Sequence, residues 1–216
     1  MRFFIDTADV DEVREAAALG IIDGVTTNPT LIAKTGQDLE ETIKALCGLV
    51  VGPVNSEVLG TTCEDMIEEG RKMASWADNV VIKIPMGRHG LKAVSTLAKE
   101  GIATTVTLIF TPAQALLAAA AGATYVCPFV GRLDDVSSVG MDMVADICQI
   151  FETHDLSCQV IAASLRHPVH VLEAARVGVD IATVPTKILT QMIEHPLTTA
   201  GVQRFLDDWA ATEQKR

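Results

Sequence analysis

Residues 97–108 read LAKEGIATTVTL. Leu91, Val94 and Leu97 recur at helical spacing with Ala98 beside them, so a helix runs into this stretch. Gly101 stands where a helix ends on a left-handed residue. Thr104 to Leu108 is rich in β-formers, which predicts a strand. The same succession of small-residue helix, glycine and strand recurs in AALGIIDGVTT (17–27), AAAAGATYVCPF (118–129) and AARVGVDIATVP (174–185), where Gly178 is the counterpart of Gly101. It is a structural repeat of weak sequence identity.

Outward from that unit, β-rich runs occur at RFFID (2–6), GVTTN (24–28), VNSEVL (54–59), VVIKIP (80–85), ATTVTLIF (103–110), YVCPFV (125–130), QVIAAS (159–164) and DIATVP (180–185). Between them lie helical patterns, such as Leu39, Ile43, Leu46 and Val50. Helix starts are marked too. TPAQ (111–114) offers Thr111 as N-cap, Pro112 at the first turn and Gln114 to complete a capping box, and Asp9 with Glu12 can do the same. Eight strand–helix units in 216 residues predict an α/β fold, one (β/α)8 TIM barrel over 1–216. A doubly wound open sheet is the competing arrangement. Its dinucleotide-binding form is disfavoured, because no G-x-G-x-x-G follows the first strand.

Composition fits a buried parallel sheet. The chain is 49% apolar but only 4% aromatic, so its core is built of Ala, Val, Leu and Ile. A formal net charge of -11 argues against a nucleic-acid partner and against an electrostatic membrane anchor. The longest low-charge stretch, 101–130, is broken by Thr, Pro, Gln and Gly, so no membrane span is expected. The first residues, MRFFIDTADVDEV, turn acidic at once, unlike a signal peptide. Five cysteines without a C-x-x-C pair read as reduced thiols of a cytoplasmic protein, with Cys127 and Cys158 as small core residues.

The run VVIKIP puts a lysine among residues that read as buried, at a cost in hydration. Strand side chains alternate faces. If Val80, Ile82 and Ile84 face the helices, Lys83 points into the barrel. The same alternation turns Asp6, Thr26, Asn28, Asn55, Glu57, Thr105, Thr107, Cys127, Phe129 and Ser164 inward, with Arg132 and Arg166 just past strand ends. Barrel interiors hold satisfied polar networks as well. Asp6, Glu57 and Lys83 together, however, are costly to bury without a use, and the C-terminal end of barrel strands carries chemistry. His167 and His170 in HPVH have helical spacing, but nothing nearby completes a metal site, and no Ser-His-Asp or Cys-His set is evident. A lysine in a largely apolar pocket fits a Schiff-base nucleophile.

FIDTAD, GVTTNPTLI, SEV, VIKIP, TLIF, PFVGRLDD and ASLRHP, in this order, resemble the successive strand motifs of transaldolases. The short bacterial-type subfamily, which includes fructose-6-phosphate aldolases, is the nearest in pattern, and the resemblance runs from Phe4 to about Trp209. It implies roles by position. Lys83 matches the Schiff-base lysine, Asp6 the acid/base at the donor's C4 hydroxyl, and Glu57 the carboxylate that acts through a water. Thr107 matches the threonine holding that water. Asn28 matches the asparagine that binds donor hydroxyls, with Thr26 in support. Arg132, Ser164 and Arg166 match the phosphate site, which a helix beginning near Pro168 would assist. The other reading of Arg132 is a surface salt bridge with Asp134 or Asp135.

Glu57 and Phe129 are of the transaldolase kind, where the aldolase branch resembles Gln and Tyr. The resemblance therefore implies a transferase. It would move a dihydroxyacetone unit from fructose 6-phosphate or sedoheptulose 7-phosphate to erythrose 4-phosphate or glyceraldehyde 3-phosphate, in the non-oxidative pentose phosphate pathway. No metal or cofactor is implied. The alternatives are a lyase releasing free dihydroxyacetone and a non-catalytic sugar-phosphate binder. Arg88 and His89 depart from the family pattern, and Asn55 receives no role. A C-terminal helix at about 197–212 sets Phe205 and Trp209 on one face. It packs either on its own barrel or on a neighbour, since short family members are similar to pentamers or decamers.

Overall fold

The computed structural model describes residues 1–213. Eight parallel strands close into a barrel in chain order: β1 (Arg2–Asp6), β2 (Gly24–Thr26), β3 (Val54–Glu57), β4 (Val80–Pro85), β5 (Thr104–Ile109), β6 (Tyr125–Pro128), β7 (Gln159–Ala162) and β8 (Ile181–Val184). The closure is between β1 and β8. The helices are α1 (Val10–Ala18), α2 (Pro29–Thr35), α3 (Leu39–Cys47), α4 (Cys63–Ala74), α5 (Arg88–Lys99), α6 (Pro112–Ala120), α7 (Val130–Asp134), α8 (Gly140–Thr153), α9 (Pro168–Arg176), α10 (Thr186–Ile193) and α11 (Pro196–Glu213). The expected TIM barrel is the fold of the chain. No helix among the described residues is long and apolar enough to cross a membrane.

The repeat has a local cause. At the end of α5, the Gly101 N–H donates to Ala98 O and the Ile102 N–H to Leu97 O, with Gly101 at φ +76°. At the end of α9, Gly178 and Val179 donate to Ala175 and Ala174, with Gly178 at φ +81°. Each is a Schellman closure, which satisfies the last carbonyls and turns the chain back toward the sheet. Helix starts use the predicted caps, with two changes of partner. Thr111 accepts from the Gln114 N–H, while the Gln114 side chain accepts from Phe110 N–H and not from its own cap. Asp9 caps α1, while Glu12 accepts from the Thr186 hydroxyl and so ties α1 to α10.

Alternation divides the apolar side chains into two cores. Ile5, Val25, Val54, Ile82, Ile84, Val106, Val126, Val160 and Val184 face the helices. Phe4, Val81, Tyr125, Cys127, Ile161, Ala163 and Ile181 fill the barrel interior. Each fully buried large apolar side chain contributes about 1.5–3 kcal/mol. Lys83 follows Val81 on the inner face and is 3% exposed. Register places Glu57 beside Lys83, Lys83 beside Thr105, and Asp6 beside Thr26, with Thr107 the next inward residue along β5.

Six predicted strands end one or two residues early. β2 stops at Thr26 because Asn28 caps α2; β3, β5 and β8 stop at Glu57, Ile109 and Val184; and β6 and β7 stop at Pro128 and Ala162, beyond which only an isolated Phe129–Ala163 bridge continues the pairing. β5 carries a register shift between Val106 and Ile109, with Leu108 at φ +58°. This bulge keeps Thr107 inside and sends Ile109 to the helix-facing core. On α11 every residue from Pro196 to Thr212 except Gly201 is exposed, including Phe205 at 73% and Trp209 at 64%. Their own barrel does not cover them.

Candidate active site

Lys83 projects from the middle layer of β4 into the barrel. Its Nζ donates to Thr27 O at 2.9 Å and faces Glu57 Oε2 at 3.0 Å. Glu57 is itself only 11% exposed. Asp6, at the end of β1, accepts from the Thr26 hydroxyl at 2.8 Å. Burial pushes the Asp6 carboxyl above the usual carboxylate range, opposed by the Lys83 cation and by the Thr26 hydrogen bond. The Thr26 hydroxyl also meets Thr183 Oγ at 2.6 Å. When Asp6 is ionised it can only accept, so Thr26 donates to Asp6 and Thr183 donates to Thr26.

The floor of this layer is also polar and fully buried. Asn55 donates to Val25 O at 3.2 Å and accepts from the Thr105 hydroxyl at 2.5 Å. That makes Asn55 a cross-brace under Glu57 and Lys83. The Thr107 hydroxyl is buried with no hydrogen-bond partner among the described residues. A buried hydroxyl in that state is suited to bind a water or a substrate oxygen. Burial pushes the Cys127 thiol up to about 12, even with Lys83 opposing, so Cys127 is a neutral inner wall.

Asn28 spends its Oδ1 on the Leu31 N–H at 3.0 Å as the cap of α2. Its Nδ2 has no acceptor among the described residues. It borders a small cavity of about 220 Å³ shared with Thr27, Pro29, Ile32, Glu57 and Leu59. This places Asn28 beside Glu57, on the same side of the barrel mouth as the Lys83 acceptor Thr27.

Across the rim, α7 follows β6 and is pinned to the end of β7. Val130 N–H donates to Ala163 O at 2.9 Å, and Gly131 N–H to Ser164 O at 3.0 Å. A Cβ on Gly131 would overlap the Ser164 carbonyl and approach Arg166 Cγ and Nε to 2.6 Å, so only glycine allows the two segments to touch. Arg132 lies over the Phe129 ring, with Cζ 4.9 Å from the centroid. Phe129 in turn meets Phe110 edge-on at 6.0 Å. Arg166 pairs with Asp135 at 2.8 Å. The salt bridge considered for Arg132 is therefore made by Arg166 instead. Ser164, at φ +58°, and Arg166 precede α9, which begins at Pro168.

His167 and His170 stack with centroids 3.8 Å apart, and no metal-binding group of three or more side chains is found among the described residues. His89 accepts from Cys63 N–H at 3.1 Å, joining the starts of α4 and α5, and Arg88 is exposed. Sequence reading missed Thr183 and the Thr27 carbonyl. Alternation along β8 pairs Thr183 with the inward Ile181 and could have found the first. The second is a backbone group, which no side-chain pattern reveals.

The family model for Transaldolase/Fructose-6-phosphate aldolase matches residues 3–216. The chain belongs to this family. It is 58% identical over 209 residues to a protein of Thermoanaerobacter sp. (strain X514) named "Probable transaldolase", covering 97% of each chain. Proteins with the same name from Caldicellulosiruptor saccharolyticus and Methanococcus maripaludis (strain C7) are 57% and 53% identical, over 100% and 98% of both chains. Among solved structures, thiamine phosphate pyrophosphorylase from Pyrococcus furiosus matches with a TM-score of 0.58 and 16% identity, covering 86% of this chain and 85% of that one. That likeness concerns the barrel alone. Within the transaldolase/fructose-6-phosphate aldolase family, the layer of Asp6, Glu57 and Lys83 is the part of this chain with the means for amine chemistry.

Proposed function

We propose that this protein is a transaldolase, a transferase of the non-oxidative pentose phosphate pathway acting on sugar phosphates. The observation that carries the reading is the buried Lys83 amine, 3.0 Å from the Glu57 carboxylate. An ammonium cannot attack a carbonyl. Glu57 is placed to take its proton, which leaves the free amine as nucleophile.

The sequence of steps balances. Lys83 Nζ attacks the ketone carbon of fructose 6-phosphate or sedoheptulose 7-phosphate. The carbinolamine loses water, with Glu57 returning the proton to the departing hydroxyl through a water held at Thr107. The iminium that results draws electrons. Asp6 takes the C4 hydroxyl proton, the C3–C4 bond breaks, and its electron pair passes into the iminium to give an enamine. An aldose phosphate leaves. The enamine then attacks the aldehyde of erythrose 4-phosphate or glyceraldehyde 3-phosphate, Asp6 returns its proton to the new hydroxyl, and hydrolysis frees Lys83. In this scheme the lysine is the electron sink, so no cofactor or metal takes part.

Asp6 suits its role because burial raises its pKa above the usual carboxylate value, while Lys83 and the Thr26 hydrogen bond oppose the rise. Asn28 offers its amide N–H to donor hydroxyls. Arg132, Arg166 and Ser164 bind the phosphate, with Arg166 releasing Asp135 as it arrives. Phe129 offers no hydroxyl to steer a water onto the enamine, which favours transfer over release. The exposed face of Leu197, Val202, Phe205 and Trp209 on α11 supports a homo-oligomer, pentamer or decamer, with α11 seated on a neighbouring subunit. Five unpaired cysteines support a cytoplasmic site of action.

Borohydride reduction in the presence of fructose 6-phosphate tests the chemistry. A dihydroxyacetone-sized mass on the peptide holding Lys83 is expected, and its absence from folded protein would overturn the reading. Turnover without an acceptor aldose would make the protein a lyase instead. A chain cut after Pro196 is expected to scatter light as a smaller particle, and an unchanged size would reject the seating of α11.

A further inference from the structure

The two arginines assigned to phosphate stand on different segments. Arg132 is on α7, and Arg166 is in the turn between β7 and α9. That turn contains Ser164 in the left-handed region, a conformation a non-glycine residue holds only when its surroundings enforce it. Something must therefore fix the turn and fix its distance from α7.

One side chain reaches both. His170, in the first turn of α9, is buried at 8% exposure. Its Nδ1 accepts the Arg166 backbone N–H at 3.2 Å. Its Nε2 lies 3.2 Å from Asp134 Oδ2 at the end of α7. Asp134 is itself held, since its other oxygen accepts the Gly140 N–H at 2.9 Å. With Nδ1 acting as acceptor, the proton sits on Nε2 and is donated to Asp134, so the geometry selects one neutral tautomer. Burial lowers the His170 pKa, and the stacked His167 and nearby Arg166 act in the same direction, while Asp134 and Glu173 oppose. Neutrality agrees with the tautomer that the contacts require.

We propose that His170 is a positioning residue for the phosphate site, its single imidazole tying the Arg166 turn to the helix that carries Arg132. The proposal rests on the sugar-phosphate reading given above. Its consequence is a division of labour within Arg166. The guanidinium is free to exchange Asp135 for a phosphoryl group, while the backbone beneath it stays fixed by His170. Asp134 and Asp135, adjacent in the chain, serve the two halves of that arrangement: one holds the ring and the other holds the resting guanidinium.

Three variants separate the two bonds. His170→Phe keeps an aromatic ring and loses both. His170→Gln can still donate toward Asp134 but loses the acceptor for Arg166. His170→Asn can still accept from Arg166. Loss of one buried hydrogen bond corresponds to about a three- to tenfold change in an equilibrium constant. The expected result is a rise of that size in KM for fructose 6-phosphate and in the inhibition constant of inorganic phosphate for Phe and Gln. Asn keeps the Arg166 bond but loses the Asp134 half of the tie, so its rise should be comparable to that of Gln. Borohydride trapping of unphosphorylated dihydroxyacetone on Lys83 should stay within about twofold of the parent rate in all three, a modest change on the scale of one hydrogen bond. Parent-like phosphate inhibition in both the Phe and Gln variants would overturn the proposal. So would an equal loss of trapping and of phosphate affinity, which would mark a general structural role. A parent protein that traps dihydroxyacetone yet is not inhibited by phosphate would overturn the phosphate-site reading, and this proposal with it.

Discussion

Lys83→Met removes the cation facing Glu57 across 3.0 Å and leaves the carboxylate 11% exposed with no partner charge. At that spacing, with an effective dielectric constant of about 20, the attraction is about 5 kcal/mol. Withdrawing both groups from water costs a similar amount, so the intact pair is close to neutral as a source of stability. Removing one partner is different, because the remaining charge keeps its desolvation cost and loses its compensation, about 3–5 kcal/mol. In a chain of this size each kcal/mol moves Tm by about 2–4 °C, so the single variant should melt about 6–20 °C below the parent. Glu57→Leu added to Lys83→Met removes the orphaned charge and should recover most of that loss. A residue of about 1–3 kcal/mol should remain, because Thr27 O has lost its donor in both variants. The measurement is thermal and urea unfolding at pH 7, at one fixed protein concentration so that any assembly equilibrium does not intrude. A single variant as stable as the parent, or a double variant no better than the single, would refute the claim that a charged pair is buried here.

Asp6→Asn should cut turnover at least about 100-fold, the lower range for loss of an acid/base group. It should also raise Tm by a few degrees at neutral pH, about 1 kcal/mol for every 2–4 °C. The sign follows from the raised Asp6 pKa: its stabilising contribution is full below the ordinary carboxylate value and is lost as pH rises through the folded value. The gain in Tm should therefore shrink on acidification, and a gain that grows instead would contradict the assignment. Cys127, pushed up to about 12 chiefly by burial, should resist iodoacetamide at pH 8 in folded protein and react once unfolded, and rapid native labelling would show it is not sealed in the barrel. Gly131→Ala forces a Cβ against Ser164 and Arg166, an overpacking cost of about 1–3 kcal/mol. It should raise KM for a phosphorylated donor more than it lowers kcat, and an unchanged KM would show that the two segments need not touch.

The parts that sequence made legible are those with local causes. Gly101 and Gly178 announce Schellman turns within six residues of chain, and alternation along VVIKIP is enough to aim Lys83 inward. Asp6, Thr26 and Glu57 were found by the same rule, because each sits within or at the end of a strand of regular pleat. What escaped depends on register and on distant neighbours. Asn55 had no evident use until the β3–β4–β5 register set Thr105 beside it. Arg166, and not Arg132, takes Asp135, because α7 crosses the end of β7 through Gly131. The bulge at Leu108 follows no turn signal in TLIF and arises where β5 meets β6.

Closure of β1 against β8 also sets the order in which the molecule becomes competent. Asp6 and Thr183 lie on the first and last strands of the barrel, yet the chain of hydroxyls reaching Asp6 ends on Thr183. At typical synthesis rates of about 5–20 residues per second, about 10–35 s separate the two. Until then the nascent sheet has two open edges, and the Thr26 hydroxyl that donates to Asp6 lacks the donation from Thr183. The hydrogen-bond chain around Asp6 is therefore completed last, and the two strand edges stay open to pairing with other chains until β8 closes them.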